Sequence, residues 1–168
     1  MVPARGMHSA AVSYAGESST DIQLLADVQP DDIARVSVGI SEFDRVLGGG
    51  LVPGSVTLLG GDPGIGKLTL LLQAVVRLAE HYSTLYITGE ESLQQVSMRA
   101  HRLGMGNSRV ALFAATQLET ILQQAQKTRP SVMVIDSIQT MFTDQLQSAP
   151  GSVAQVRECA ARLVRFAK

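Results

Sequence analysis

The sequence predicts an α/β domain: a mostly parallel sheet flanked by helices and carrying a phosphate-binding loop. Three observations predict it. From residue 55 onward, short apolar runs alternate with amphipathic stretches, the pattern of strands joined by helical crossovers. The run SVTLLGG leads into GGDPGIGK, a glycine-rich turn ending in Gly66-Lys67. A further apolar run, VMVID, ends in a carboxylate, at the strand end where open α/β sheets gather their ligands.

Taken in order, residues 1–20 are rich in Ala, Ser and Gly without periodicity, and are expected to form a flexible N-terminal segment. Residues 21–168 are expected to form the domain. QLLADVQ, residues 23–29, reads as a short strand. Ser41 is placed to cap a short helix, SEFDRVLG, which Gly48, Gly49 and Gly50 end. Pro53-Gly54 signals a turn before SVTLLGG, residues 55–61, a buried strand by its length and flanks. Residues 67–80 place Leu70, Leu71, Ala74, Val75 and Leu78 at helical spacing. Strands are expected over 84–89, 109–115 and 131–136, and helices over 92–103, 118–127 and 152–168. Gly104 and Pro130 stop the first two of those helices. The last presents Val153, Val156, Ala160, Leu163 and Val164 on its apolar side, with Cys159 expected in the core.

Composition narrows the class. A chain of 168 residues with 45% hydrophobic and 17% charged residues suits one globular domain. The net charge of -1 supplies no overall basic field, so any nucleic-acid contact must come from a local patch. No run of about 18 apolar residues suggests a membrane span. The opening MVPARGMHSAAVSYAG lacks the apolar segment of a signal peptide, which makes the cytoplasm the expected compartment. Cys159 is the only cysteine, which excludes an internal disulfide or a cysteine zinc cluster within the chain.

The chemistry concentrates at strand ends. Glycines in the loop of Gly61, Asp62, Pro63, Gly64, Ile65 and Gly66 let backbone N–H groups turn inward around phosphate, and the following helix N-terminus adds favourable partial charge. Lys67 brings a point charge for the β and γ oxygens. The next position, Ser or Thr in the full motif, is Leu68, which offers magnesium no oxygen. Thr69 points about 100° further round the helix and does not simply substitute. Asp136 is placed to hold magnesium through water. Glu90 and Glu91 end another strand. One of them can polarise an attacking water, or the pair can favour the N-terminus of the next helix. Arg99, His101, Arg102 and Arg109 form a small basic cluster, read as a solvated helix face rather than a phosphate contact.

The stretch VGISEFDRVLGGGLVPGSVTLLGGDPGIGK resembles the opening of RecA-like ATPases. Together with ITGEESLQQVSMRAHRLG and MVIDSIQTM it narrows the likeness to the ATPase core of the RadA (Sms) family, over nearly the whole chain from residue 21. The resemblance implies a DNA-dependent ATPase that processes recombination intermediates and promotes branch migration, using ATP and magnesium. By position it makes residues 61–67 the Walker A loop, Asp136 the Walker B acid and Glu90 the water-activating base, with Glu91 the fallback. It also implies single-stranded or branched DNA, a RecA-like recombinase and a homo-oligomeric ring as partners. Residues 142–151 fall where the first DNA-facing loop lies in the family, and they contain no Lys or Arg. The family has Ser at the position of Leu68, a four-cysteine zinc finger before the core, and a Lys-Asn-Arg-Phe-Gly motif and a Lon-like domain after it. The expectation is therefore a partial core in which Leu68 weakens hydrolysis. In RecA-like sheets a further strand lies between the Walker A and Walker B strands. Without it, residues 55–60 either face a gap or slide over to pair with residues 132–136. A gap leaves backbone groups unsatisfied, so marginal stability is expected, whereas ordinary stability would mean a closed sheet. The competing readings are a non-catalytic nucleotide-binding or interaction module, and a clock-type regulator, which GDPGIGK together with DSIQT disfavours.

Overall fold

The computed structural model describes residues 22, 24–27 and 33–168. The flexible segment expected over residues 1–20 lies outside the described residues, as do parts of the strand expected over 23–29. At the centre is strand β1, Thr84–Thr88, whose five residues are all buried. It pairs in parallel with β2, Ala111–Ala114, on one side and with β3, Val132–Asp136, on the other, giving the order β2-β1-β3. Between consecutive strands run helices, as parallel pairing requires. Helix α3 is Leu93–Arg102 and helix α4 is Leu118–Thr128.

Alternation along β1 divides the core into two faces. Leu85 and Ile87 join Leu118, Ile121 and Met141 on one face, together with Cys159 and Leu163 of α5, Val153–Ala167. Tyr86 joins Val96 of α3 and Leu72 and Val75 of α2, Lys67–Leu78, on the other. Each fully buried aliphatic side chain contributes about 1.5–3 kcal/mol. A third cluster packs Val38 against Ala74 and Leu78, and so fastens residues 36–51 to the far end of α2. Asp44, in the short helix α1, Ser41–Val46, ties that lobe together. Its carboxylate accepts from Val38 N at 2.8 Å, Gly39 N at 3.2 Å and Ser37 Oγ at 2.7 Å. These bonds, the Val38 amide first, hold its carboxyl below the usual range.

Helix boundaries follow local chemistry. Ser92 and Gln95 form a reciprocal capping box at the start of α3, with bonds of 3.2 and 2.8 Å. Ser152 caps α5, and α4 ends at Arg129 in a left-handed conformation just before Pro130. Ser41 is not the cap expected of it. Ile40 occupies that position without a side-chain bond, and the polar anchoring passes to Asp44.

Three other expectations are corrected. Residues 55–61 form no strand; Val56 and Leu58 are 53% and 82% exposed. A strand needs a ladder, and β3 bonds only to β1 among the described residues. Of the two alternatives foreseen, direct pairing with residues 132–136 is not seen among the described residues. Within residues 23–29, Leu25–Asp27 form a 3-10 turn rather than a strand. In α5 the buried stripe is Gln155, Cys159 and Leu163, while Val153 is 74% exposed. Gln155 takes the core position because its carboxamide satisfies loop backbone that would otherwise be buried without partners.

Candidate functional site

The loop of residues 61–66 runs into α2 through Gly66, which is left-handed with φ 96. Gly64 is also left-handed, with φ 81, and a Cβ at either position would meet nothing within 4 Å. Both glycines are therefore required by backbone conformation rather than by crowding. The backbone amides of Gly64, Gly66, Lys67 and Leu68 find no backbone acceptor among the described residues. They are unfilled donors at a helix N-terminus, the arrangement that accepts anions. Lys67 Nζ turns back into the loop, donating to the Gly61 carbonyl and to the Asp62 carbonyl at 2.6 Å. Leu68 is half-buried. Thr69 lines a cavity of about 280 Å³ with Arg99, Arg102 and Leu103 of the neighbouring helix segment.

Asp136, at the end of β3, is 5% exposed and accepts a hydrogen bond from the Tyr86 hydroxyl at 2.8 Å. The register explains this contact. Tyr86 stands opposite Val134, so Asp136 lies two residues further along the same face. Burial, opposed by the Tyr86 bond and reinforced by Glu90 and Glu91, raises the Asp136 carboxyl above its ordinary value. The Tyr86 phenol is raised too, by burial first and then by the Asp136 carboxylate.

The turn after β1 positions the two glutamates. Thr88, 1% exposed, accepts from Glu91 N at 3.0 Å and donates to the Glu91 carbonyl at 2.8 Å. Gly89 N donates to the Asp136 carbonyl at 2.8 Å, which prolongs the ladder into the turn. Glu91 pairs with Arg99 at 2.6 Å, both side chains being 21% exposed. Glu90 is exposed and accepts from Ser137 Oγ at 2.6 Å. The peptide bond between Asp136 and Ser137 is cis.

Asp136, Glu90 and Glu91 thus gather at one end of the sheet. Arg99 joins this cluster to the first turn of α2, since it pairs with Glu91 and lines the cavity with Thr69. Of the basic cluster, Arg102 and Arg109 are exposed, and His101 Nδ1 lies 2.8 Å from the Ser97 carbonyl of its own helix. No group of three or more His, Cys, Asp or Glu side chains is arranged to hold a metal among the described residues.

Sequence reasoning passed over Tyr86, Thr88, Ser137 and Gln155. Tyr86 and Thr88 carried a signal: polar groups on a strand otherwise built for burial. Gln155 carried none, because helical periodicity treats a glutamine as outward-facing. Its carboxamide accepts from Thr143 N at 2.9 Å and donates to the carbonyls of Thr143 at 3.1 Å and Ser148 at 2.9 Å. It thereby fixes the loop of residues 143–148. Glu119, Thr143 and Arg162 form a second clasp on that loop. Burial pushes the Glu119 carboxyl up, but the Thr143 and Arg162 bonds outweigh it and hold the group low.

A family model described as "ATPase: KaiC" matches residues 36–112. Over 156 residues the chain is 56% identical to "DNA repair protein RadA" of Salmonella typhimurium, covering 92% of this chain and 34% of that protein. Its identity to the Escherichia coli K12 protein of the same name is 55% over 156 residues, with the same coverage. The Streptococcus pneumoniae protein is 44% identical over 160 residues, covering 95% of this chain and 38% of that one. The chain spans about one third of the length of the curated relatives it matches. With its parallel sheet, glycine loop and strand-end carboxylates, the chain belongs to the RadA family of RecA-like ATPases, of whose ATPase core it forms part.

Proposed function

We propose that this chain binds ATP with magnesium and forms part of a DNA-dependent ATPase of recombinational repair. Such an ATPase acts on recombination intermediates and promotes branch migration in the cytoplasm. One observation carries the reading: a loop of unfilled amides ending in Lys67 opens helix α2, whose Thr69 lines a cavity with Arg99, the partner of Glu91 at the sheet end that also holds Asp136 and Glu90. Bound ATP supplies the phosphoryl group for transfer to water. Residues 61–69 fit its phosphates, with the amides of Gly64, Gly66, Lys67 and Leu68 as donors. Lys67, now folded onto the Gly61 and Asp62 carbonyls, exchanges them for phosphate oxygens. Asp136 is the acid that would hold magnesium, through water. Leu68 adds no oxygen to the set, so the metal clamp rests on Asp136 and on the nucleotide itself.

The two glutamates divide the remaining work. Glu91 is committed to Arg99 and shields its surroundings with that pair. Glu90 is exposed to solvent and, among the described residues, is held by a serine hydroxyl, which suits a base that must meet water. DNA contact falls to the exposed Arg102 and Arg109, since the 142–151 loop has no Lys or Arg. A ring of copies, and pairing with a RecA-like recombinase, complete the proposal by family likeness.

Leu68 favours a second reading, a non-catalytic nucleotide-binding module. ATP turnover with and without single-stranded DNA separates the two. The expected result is DNA-stimulated turnover that Glu90→Gln suppresses by about 100-fold or more while ATP binding persists. Glu91→Gln is expected to do less. Turnover insensitive to both substitutions contradicts the enzymatic reading, and a reversed ranking transfers the base to Glu91.

A further inference from the structure

Glu90 is not free at the sheet end. Its Oε1 accepts from Ser137 Oγ at 2.6 Å, across from the turn that carries it. Ser137 is itself fixed from the other side, because its carbonyl accepts from Thr140 Oγ1 at 2.9 Å and from Thr140 N at 3.1 Å. Thr140 in turn presses on the glutamate-bearing turn. A Cβ on Gly89 would lie 2.2 Å from Thr140 Oγ1, so only glycine admits that approach. The segment then continues through the fully buried Met141 to Phe142, whose N donates to the Thr116 carbonyl at 3.0 Å and whose carbonyl accepts from Leu118 N at 2.9 Å. One residue further on, Thr143 is clamped by Gln155. Unbroken contact therefore joins Glu90 to the loop of residues 143–148.

We infer that Ser137 is a positioning residue: its hydroxyl sets the orientation of the Glu90 carboxylate and ties it to the segment anchored by Gln155. A short hydrogen bond from a half-buried serine, braced on both sides, removes rotamers that an exposed glutamate would otherwise sample. The inference rests on the reading of Glu90 as the base. The lower end of the energetic scale for one hydrogen bond to a charged group, about tenfold in rate, sets the expected effect.

The test compares wild type, Ser137→Ala, Ser137→Thr and Glu90→Gln, all in the full chain. In protein labelled with glutamate δ-carbon, the Glu90 line is assigned as the one missing from Glu90→Gln. Ser137→Ala should move that line, and Ser137→Thr should restore it. In turnover, Ser137→Ala should lower kcat about tenfold with KM for ATP unchanged, and Ser137→Thr should recover most of the loss. An unmoved Glu90 line overturns the inference. So does a loss spread equally over kcat, KM and thermal stability, which marks a merely structural serine. Turnover unaffected by Glu90→Gln contradicts the reading of Glu90 as the base instead, while the carbon line, which needs no turnover, still decides whether the tie exists.

Discussion

On the acid side of the candidate site, Asp136 is held by Tyr86, Glu91 by Arg99 and Thr88, and Glu90 by Ser137. On the phosphate side, residues 55–66 make no ladder and leave Val56 and Leu58 exposed, and Lys67 folds back onto the carbonyls of Gly61 and Asp62. The difference follows from where each side finds hydrogen-bond partners. The acids sit on neighbouring strands, whose register delivers partners automatically. The loop follows a segment that pairs with no strand among the described residues and runs directly into α2. One half is organised by strand register, and the other by a glycine turn that opens a helix.

Four substitutions sharpen that contrast. Lys67→Ala should have the largest effect, weakening ATP binding about 10- to 100-fold by removing the one charged donor aimed into the loop. Titration calorimetry checks this, and unchanged affinity would mean that the loop amides alone hold the nucleotide. Tyr86→Phe should destabilise the chain by about 1–3 kcal/mol in urea, because it leaves a buried carboxylate without its donor. It should leave the loop's ATP affinity largely intact at low magnesium. A loss of both together would mean that the two halves are not independent.

Asp136→Asn should act through pH. The folded-state pKa of Asp136 is raised. Its contribution is therefore fully present below the unfolded value and is lost as pH rises through the folded one. Wild-type stability should accordingly fall over that rise, starting near pH 4, and Asp136→Asn should flatten the dependence. Denaturation curves at a series of pH values measure it, and an identical slope in both proteins would contradict the assignment. Leu68→Ser should give the smallest change, a several-fold gain in magnesium-dependent ATP binding or turnover, because it adds one metal ligand to a site that has few. Equal magnesium dependence in both proteins would contradict it.

Legibility in the sequence divided along the same line. Strands β1, β2 and β3 and helices α2 to α5 were readable because apolar spacing and local start and stop signals, such as Ser92 for a start and Gly104 and Pro130 for stops, act within a few residues. Asp136, Glu90 and Glu91 were readable as strand-end acids for the same reason. Residues 55–61 look like a buried strand in isolation, yet strand formation depends on a distant partner that no local pattern reveals. Gln155 and Ser137 were hidden because their roles depend on a loop and a turn far along the chain. The basic cluster divided as well. Arg102 and Arg109 are exposed, whereas Arg99 is committed to Glu91, a pairing across 8 residues that spacing alone does not specify.

Amide hydrogen exchange, followed with and without Mg·ATP, tests the contrast between the two halves most directly. The account predicts that residues 56–60 exchange at close to the unprotected rate, while β1 amides exchange the slowest in the chain. It predicts further that Mg·ATP slows exchange over residues 61–68. Protection of residues 56–60 equal to that of β1 in the free protein, or no change over 61–68 when Mg·ATP is added, would contradict it.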